Sequence, residues 1–178
     1  MARVAFIAHC LLNQNSKVEG GAKRPAMWEP VIDLLQEHGY VIRQMPCPEL
    51  AFGGARRFWG VREQFDTPVY RKHCRKIATL VAAVMEQHVQ SGDDVVVIGV
   101  DSSPTMGIDF TPSGDWAGEP NIGEDDSQLV RGDGIYMEEL KAELEERGLP
   151  LPRMTGIRHW FADYDPDEER ARLVALLQ

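Results

Sequence analysis

The stretch from Asp94 to Asp109, D-V-V-V-I-G-V-D-S-S-P-T-M-G-I-D, decides the fold class. Residues 95–100 form a short apolar run rich in β-branched side chains, which is typical of a strand buried on both faces of a parallel sheet. The glycine and proline that punctuate it argue against a buried helix. Polar, turn-forming residues follow at 101–107. Because ligands of open α/β sheets bind at the carboxyl ends of strands, this stretch predicts a central strand and one wall of a site.

Strand and helix patterns alternate on both sides of this stretch. The predicted strands are Arg3–Ala8, Tyr40–Met45, residues 94–100 and Leu151–Ile157. The predicted helices are Met27–Glu37, Val69–Gln90, a helix capped by Asp133 that runs through Arg147, and a last helix after Asp165. The alternation predicts an α/β fold, with a mostly parallel, Rossmann-like sheet of four to five strands, helices on both faces and the strand order 2-1-3-4.

We expect a single α/β domain over residues 1–178, with a long loop at 109–132. That loop is rich in glycine, proline, aspartate and serine. A connection of this size in a compact domain is usually a lid, a binding loop or a mobile segment.

The composition limits the class of partner. The chain carries 19 Lys+Arg against 28 Asp+Glu, a formal net charge of -9. Binding to nucleic acids or anionic membranes requires a basic protein surface, so neither is expected as the main partner. We expect a small molecule as the partner. No apolar run approaches the roughly 20 residues of a membrane span, and the apolar start is too short for a signal peptide. We expect a cytoplasmic protein.

Cys10 and Cys47 each lie one or two residues past a predicted buried strand. Neither they nor Cys74 have the C-x-x-C spacing of a zinc or redox motif, so any shared cysteine site must be assembled by the fold. Both residues could be small buried hydrophobes, the usual fate of a free cysteine. Their equivalent positions favour a shared site, whereas Cys74 lies on the apolar stripe of its helix and is interpreted as structural.

Polar side chains follow the same strand ends. Glu49 comes after Cys47 and a proline, where a carboxylate beside an apolar crevice can serve as general acid or base, although alone it could be a solvated loop residue. Asn13, Asp101 and Ser103 are predicted to bind substrate, and Asp101 and Ser103 could equally be turn formers. The pair Arg56-Arg57, with the aromatic residues after it, could hold a planar anionic ligand or form a solvated turn.

The motifs at these positions resemble the thiouracil desulfidase (TudS) family, whose pattern is roughly C-L-L-G, D-G, C-P-E and G-S-P-S-C-G. The start A-H-C-L-L-N-Q-N and the segment Y-R-K-H-C look closer still to a branch of TudS-related desulfidases. The resemblance covers about residues 4 to 108. In this chain the motifs are His9-Cys10-Leu11-Leu12-Asn13, Glu19-Gly20-Gly21, Cys47-Pro48-Glu49 and Gly99-Val100-Asp101-Ser102-Ser103-Pro104-Thr105-Met106-Gly107.

The resemblance implies a [4Fe-4S] cluster on three cysteines, whose open iron takes the sulfur of a thiolated nucleobase while water supplies the oxygen. It implies Cys10 and Cys47 as two cluster ligands, Glu49 as the acidic catalytic residue and Thr105 in place of a serine at the substrate. The chain departs from the pattern at Met106, which stands where the third cysteine is expected. A neutral thioether cannot replace a thiolate in an ordinary cubane cluster.

Three functions follow from this sequence. The first is a desulfidase that removes sulfur from a thiolated nucleobase or a similar small thio-heterocycle. The second is a small-molecule-binding module with a cluster-free site, in which Met106 is part of an apolar wall. The third is a thiol redox protein in which Cys10 and Cys47 form a reversible disulfide.

Overall fold

A computed structural model of the chain describes residues 1–116 and 127–178. Its strands are β1 (Arg3–Ala8), β2 (Tyr40–Met45), β3 (Asp94–Val100), β4 (Phe110–Ser113), β5 (Gln128–Arg131) and β6 (Arg153–Ile157). Its helices are α1 (His9–Leu12), α2 (Glu29–Glu37), α3 (Pro48–Gly53), α4 (Arg62–Phe65), α5 (Pro68–Gln90), α6 (Ile135–Glu146) and α7 (Pro166–Leu177), and a 3₁₀ turn covers Gln14–Ser16.

The central sheet has four parallel strands in the order β2-β1-β3-β6. Strands β1 and β3 occupy the middle and are buried along nearly their whole length. Edge strand β2 is different, since Tyr40 and Met45 are buried while Val41 is half exposed. The α/β class and the order 2-1-3-4 are confirmed, with β6 as the fourth predicted strand.

Two pairs of helices cover the sheet. Helix α5 packs against α6 and β3, and α2 packs against α7 and β2. On the face of α5 that packs against its neighbours, Ala78 and Ala82 are fully buried, whereas the larger Val84 is 39% exposed. Small side chains allow close packing of helices, and a search for large apolar residues misses them. No helix among the described residues is long and apolar enough to cross a membrane.

The predicted long loop at 109–132 contains regular structure at both ends. Strands β4 and β5 pair in antiparallel fashion, with Phe110 opposite Arg131. The prediction of a loop over the whole range is therefore wrong for these two strands. Their turn-rich composition conceals them, because proline such as Pro112 is rare in strands. The centre of the predicted loop, residues 117–126, lies outside the described residues.

The predicted cap of α6 is also corrected. Gly134 is the N-cap, and the Asp133 carboxylate instead accepts hydrogen bonds from Lys141 Nζ at 2.6 and 2.8 Å. A Cβ at Gly134 would lie 2.4 Å from the carbonyl carbon of Thr105, so glycine is required for this close approach. The N–H of Tyr136 then donates to the Thr105 carbonyl at 3.1 Å. The start of α6 therefore fixes the loop that follows β3.

Candidate functional site

Helix α3 begins at the carboxyl end of β2 and carries Glu49 in its first turn. Cys47 is the N-cap, and its Sγ accepts a hydrogen bond from the Leu50 N–H at 3.4 Å. Pro48 occupies the first helical position, where its fixed φ suits a helix start. Glu49 is buried at 9% exposure. A carboxylate is favoured here because the unpaired N–H groups of the first turn carry partial positive charge.

Three side chains hold the Glu49 carboxylate. Thr105 Oγ1 donates to Oε1 at 2.6 Å, and Ser103 Oγ donates to the same oxygen at 3.4 Å. Arg57 Nε donates to Oε2 at 3.3 Å. The structure thus brings together Glu49, Thr105 and Ser103, which were predicted from separate strand ends, and adds an arginine.

Arg57 joins two loops to Glu49. Its Nη2 donates to the Ser16 carbonyl at 2.8 Å and its Nη1 to the Gly54 carbonyl at 3.0 Å. The side chains of Arg57 and Glu49 are only 8% and 11% exposed, so the ion pair is buried. Arg56, the neighbouring arginine, is exposed. The sequence could not distinguish the two, because the segment around them has no clear period.

Asp101 organises the loop between β3 and β4. It is fully buried, and its Oδ1 accepts hydrogen bonds from the N–H groups of Ile108, Asp109 and Phe110 at 3.1, 3.0 and 3.3 Å. Its Oδ2 accepts from Arg158 Nε at 3.2 Å. Both oxygens of the Asp101 carboxylate therefore accept hydrogen bonds from within the protein. The predicted contact of Asp101 with substrate stays a prediction.

The Ser103 side chain stabilises the conformation of the same loop. Its Oγ accepts hydrogen bonds from the N–H groups of Thr105 and Met106 at 3.3 and 3.0 Å while its hydroxyl faces Glu49. Ser102, just before it, has a φ of 72°, a left-handed conformation that costs a non-glycine residue about 1 kcal/mol or more. The loop therefore presents Ser103 and Thr105 to Glu49 through its own backbone geometry.

Cys10 and Cys47 lie at the same end of the sheet. In the β1–β2 register Ala8 pairs with Met45, and each cysteine comes two residues later along its chain segment. Both are half-buried. Burial raises the pKa of the Cys10 thiol to about 12; Lys17 opposes that rise, and Cys47 and Glu49 add to it.

Burial, together with the charge of Glu49, also raises the pKa of the Cys47 thiol, and the Leu50 N–H and Arg57 oppose the change. Both thiols are therefore mainly protonated at neutral pH. Thiolates are the form that binds metal and attacks disulfides.

The residues present do not fit an ordinary [4Fe-4S] cluster. Met106 is 4% exposed within the hydrophobic core and supplies a thioether where a third thiolate is needed. Cys74 is a fully buried residue of α5, in agreement with its interpretation as a structural residue. Within residues 1–116 and 127–178, no three histidine, cysteine, aspartate or glutamate side chains form a group that could hold a metal ion.

Lys17 and His159 are connected to Cys10 through Gln14. Lys17 Nζ is 2.6 Å from His159 Nε2 and donates to Gln14 Oε1 at 3.0 Å. Gln14 in turn donates through Nε2 to the Cys10 carbonyl at 2.6 Å. No local pattern predicts the contact with His159, because this residue follows β6, 142 positions away from Lys17.

Asn13, a predicted substrate ligand, is exposed, and its Oδ1 accepts a hydrogen bond from the Asn15 N–H at 3.1 Å. Its role at the substrate stays a prediction. A separate cavity of about 610 Å³, lined in part by Glu63, Ser113 and Trp116, lies beside the β4–β5 pair and shares no residue with the site around Glu49.

Known proteins are similar to this chain in fold and in part of the sequence. No family model matches. A solved structure of the [4Fe-4S]-dependent thiouracil desulfidase TudS superposes with a TM-score of 0.50 at 19% identity, and the match covers 99% of each chain. At that identity the likeness shows a shared fold.

A relative in Methanocaldococcus jannaschii, the uncharacterized protein MJ0003, is 32% identical over 106 residues, which are 60% of this chain and 68% of the relative. This match shows kinship beyond the fold, since it extends over more than two thirds of the relative. The chain belongs to the family of MJ0003.

Proposed function

We propose that the protein is a desulfidase that replaces the sulfur of a small thio-heterocycle, such as a thiolated nucleobase, with oxygen from water. The observation that carries the proposal is the buried Glu49 carboxylate, held by Thr105 at 2.6 Å and flanked by Cys10 and Cys47. The fold shared with a thiouracil desulfidase supports it. We also propose that the chain belongs to the TudS-related branch, on the strength of its A-H-C-L-L-N-Q-N and Y-R-K-H-C segments.

The proposed reaction is hydrolytic. Glu49 accepts a proton from water as the water oxygen attacks the carbon, and sulfur departs as hydrosulfide. The balance is C=S + H₂O → C=O + H₂S, which needs no oxidant or reductant. Thr105 and Arg57 hold the Glu49 carboxylate in one orientation, so that it can accept a proton from water at a fixed position. The net negative charge of the chain favours a free small molecule over nucleic acid as substrate.

The test is turnover of 4-thiouracil, followed by sulfide release and by loss of the thione absorbance. Glu49→Gln keeps the volume of the side chain and removes proton transfer, so the rate should fall by about 10²-fold or more. Glu146→Gln, at an exposed position at the end of α6, is the matched control and should leave the rate unchanged. Full turnover by Glu49→Gln would remove this residue from the mechanism.

A binding module without chemistry is the second candidate. It is favoured by the lack of a third thiolate near Cys10 and Cys47 among the described residues. In that case wild-type protein would bind 4-thiouracil and release no sulfide, and Glu49→Gln would weaken binding. The thiol redox alternative is less favoured, because the raised pKa of both thiols disfavours the thiolate that disulfide exchange requires.

A further inference from the structure

Lys17 lies in a setting that is unusual for a lysine. It is half-buried, and its Nζ lies 5.1 Å from the centre of the Trp160 ring. Lys23 Nζ lies 4.8 Å from the same ring and donates to the His159 carbonyl at 2.7 Å. Two amino groups therefore share one aromatic ring and one histidine, and one of them, Lys17, also acts on the Cys10 thiol.

Within residues 1–116 and 127–178, no carboxylate forms a salt bridge with either lysine. The salt bridges within the described part of the chain include neither Lys17 nor Lys23, although the sequence contains 28 acidic residues. Among the described residues, the titratable groups that face Lys17 are Cys10 from α1, Lys23 from the following loop and His159 from the segment after β6. Burial, more than the neighbouring Lys23, lowers the pKa of Lys17 to about 8, and Cys10 opposes that change.

His159 is neutral beside it. It is 2% exposed, and burial together with the charges of Lys17 and Lys23 lowers its pKa to about 2. Because the imidazole is neutral, its Nε2 accepts a hydrogen bond from the Lys17 amine. Neutral Lys17 has two N–H bonds, and two acceptors lie in range: His159 Nε2 at 2.6 Å and Gln14 Oε1 at 3.0 Å. Both hydrogens are then engaged, and the nitrogen lone pair is left free.

Hydrogen bonds connect this amine to the site around Glu49. Gln14 binds both Lys17 Nζ and the Cys10 carbonyl. Arg57 binds both the Ser16 carbonyl, next to Lys17 in the chain, and the Glu49 carboxylate. Lys17 and Glu49 are therefore joined to one network around Cys10, and both act on the pKa of its thiol.

We propose that Lys17 is a nucleophilic amine of this site, poised to attack the thiocarbonyl carbon of the substrate. The choice of substrate rests on the proposed function. Activation of lysine by burial and by a second cation is an established route to covalent catalysis. It would give this chain a way to remove sulfur that needs no iron–sulfur cluster, in keeping with the methionine at position 106.

The proposed steps balance in atoms and electrons. The nitrogen lone pair forms a C–N bond as the π electrons of C=S move to sulfur. The C–S bond then breaks, and sulfur leaves as hydrogen sulfide with the proton released from nitrogen and one from solvent, so that an amidinium remains. Water, deprotonated by Glu49, attacks the same carbon, and the C–N bond breaks to return the amine. The sum is the hydrolysis given above.

The first test measures the amine itself and needs no substrate. Wild-type protein is treated at pH 7 with trace formaldehyde and cyanoborohydride, and methylation of each lysine is followed by peptide mass spectrometry. With a pKa of about 8, roughly 10% of Lys17 is free amine, against under about 0.1% for an ordinary lysine. Lys17 should react about 10²-fold faster than exposed Lys76 on α5. Equal rates would overturn the proposal.

The second test uses 4-thiouracil, because displacement at position 4 leaves an amidine, which hydrolyses more readily than the guanidine formed at position 2. Wild-type protein should carry a Lys17 adduct with the mass of the base less hydrogen sulfide. Lys17→Arg keeps the positive charge without a nucleophilic amine and should lose the adduct and at least about 10²-fold in rate, the scale of other positioned catalytic groups. Lys76→Arg is the control.

The outcomes separate the two proposals. Wild-type turnover that Lys17→Arg retains would overturn the role of Lys17 and leave the desulfidase proposal standing. Fast methylation of Lys17 without any turnover of 4-thiouracil would support the nucleophilic amine and remove the desulfidase function together with the thiocarbonyl substrate. Slow methylation of Lys17 would overturn the proposal that it is a nucleophilic amine, whether or not 4-thiouracil is turned over.

Discussion

Thr105 Oγ1 donates a hydrogen bond to Glu49 Oε1 at 2.6 Å, across 56 positions of sequence. The first residue lies in the loop after β3 and the second in the first turn of α3. Thr105 is fully buried, and its carbonyl accepts from the start of α6. The hydroxyl is therefore fixed by the fold before any ligand arrives, and it sets the direction of the carboxylate.

Thr105→Val removes this hydrogen bond with little change in shape. A hydrogen bond to a charged group contributes about 1.5–3 kcal/mol, so urea denaturation should show a loss of that size in the free energy of unfolding. Thr105→Ser restores the hydroxyl and should recover most of the stability and of the desulfurisation rate. Equal stability of Thr105→Val and wild type would mean that Glu49 finds another donor.

Arg57→Gln removes one partner of a buried ion pair. The carboxylate of Glu49 is left uncompensated, which costs about 3–5 kcal/mol in comparable cases. The matched change at the exposed neighbour, Arg56→Gln, should alter the free energy of unfolding by less than about 0.5 kcal/mol. Similar losses for the two variants, measured by urea denaturation, would show that Arg57 does not support Glu49 in the way described.

The neutral state of His159 predicts a dependence of stability on pH. Its pKa is lowered from 6.5 to about 2 in the folded chain, so below pH 6.5 the unfolded chain binds a proton that the folded chain does not. The free energy of unfolding therefore falls as pH decreases, by up to about 1.4 kcal/mol per pH unit from this residue.

His159→Gln has no imidazole that could bind this proton in the unfolded chain. The amount by which the variant is less stable than wild type should therefore decrease as the pH falls from 7 to 4. Urea denaturation of both proteins at each pH gives the difference, in which the other titrating groups cancel. A deficit that is constant over this range would contradict the assignment of His159 as a buried neutral imidazole.

Met106→Cys supplies the thiolate that the resemblance to TudS would lead one to expect. Iron and sulfide bound after anaerobic reconstitution should rise above the wild-type level, because thiolate brings the charge and softness that iron requires. Met106→Leu, which fills a similar volume without a thiolate, should remain at the wild-type level. High iron in wild type and in both variants would show that another group already serves, with Cys74 the first to examine.

Local sequence patterns were sufficient for the sheet and for three parts of the site. The β-branched run of β3 could be buried only in a covered parallel sheet, and the alternation of elements then required its topology. Once β1, β2 and β3 are parallel, the residues after them must share one edge, as Cys10, Cys47 and Thr105 do. Regular periodicity and the geometry of parallel strands make such positions predictable.

The hairpin formed by β4 and β5 and the correct cap of α6 were not predictable in this way. Gly134 is needed because a Cβ would collide with the backbone of Thr105, a constraint that arises only when the two segments meet. Pro112 and the glycines around it are turn signals by composition, and pairing with β5 overrides them.

The sequence by itself therefore determined the fold class, the strand order and the edge of the sheet at which polar residues gather. Only the tertiary structure decided which of two adjacent arginines turns inward to Glu49, and that Lys17 meets His159. Strands and helices follow from a repeating pattern within one segment. Charge environments depend on burial and on partners distant in sequence, so the folded chain alone sets the chemistry of its lysine and its carboxylate.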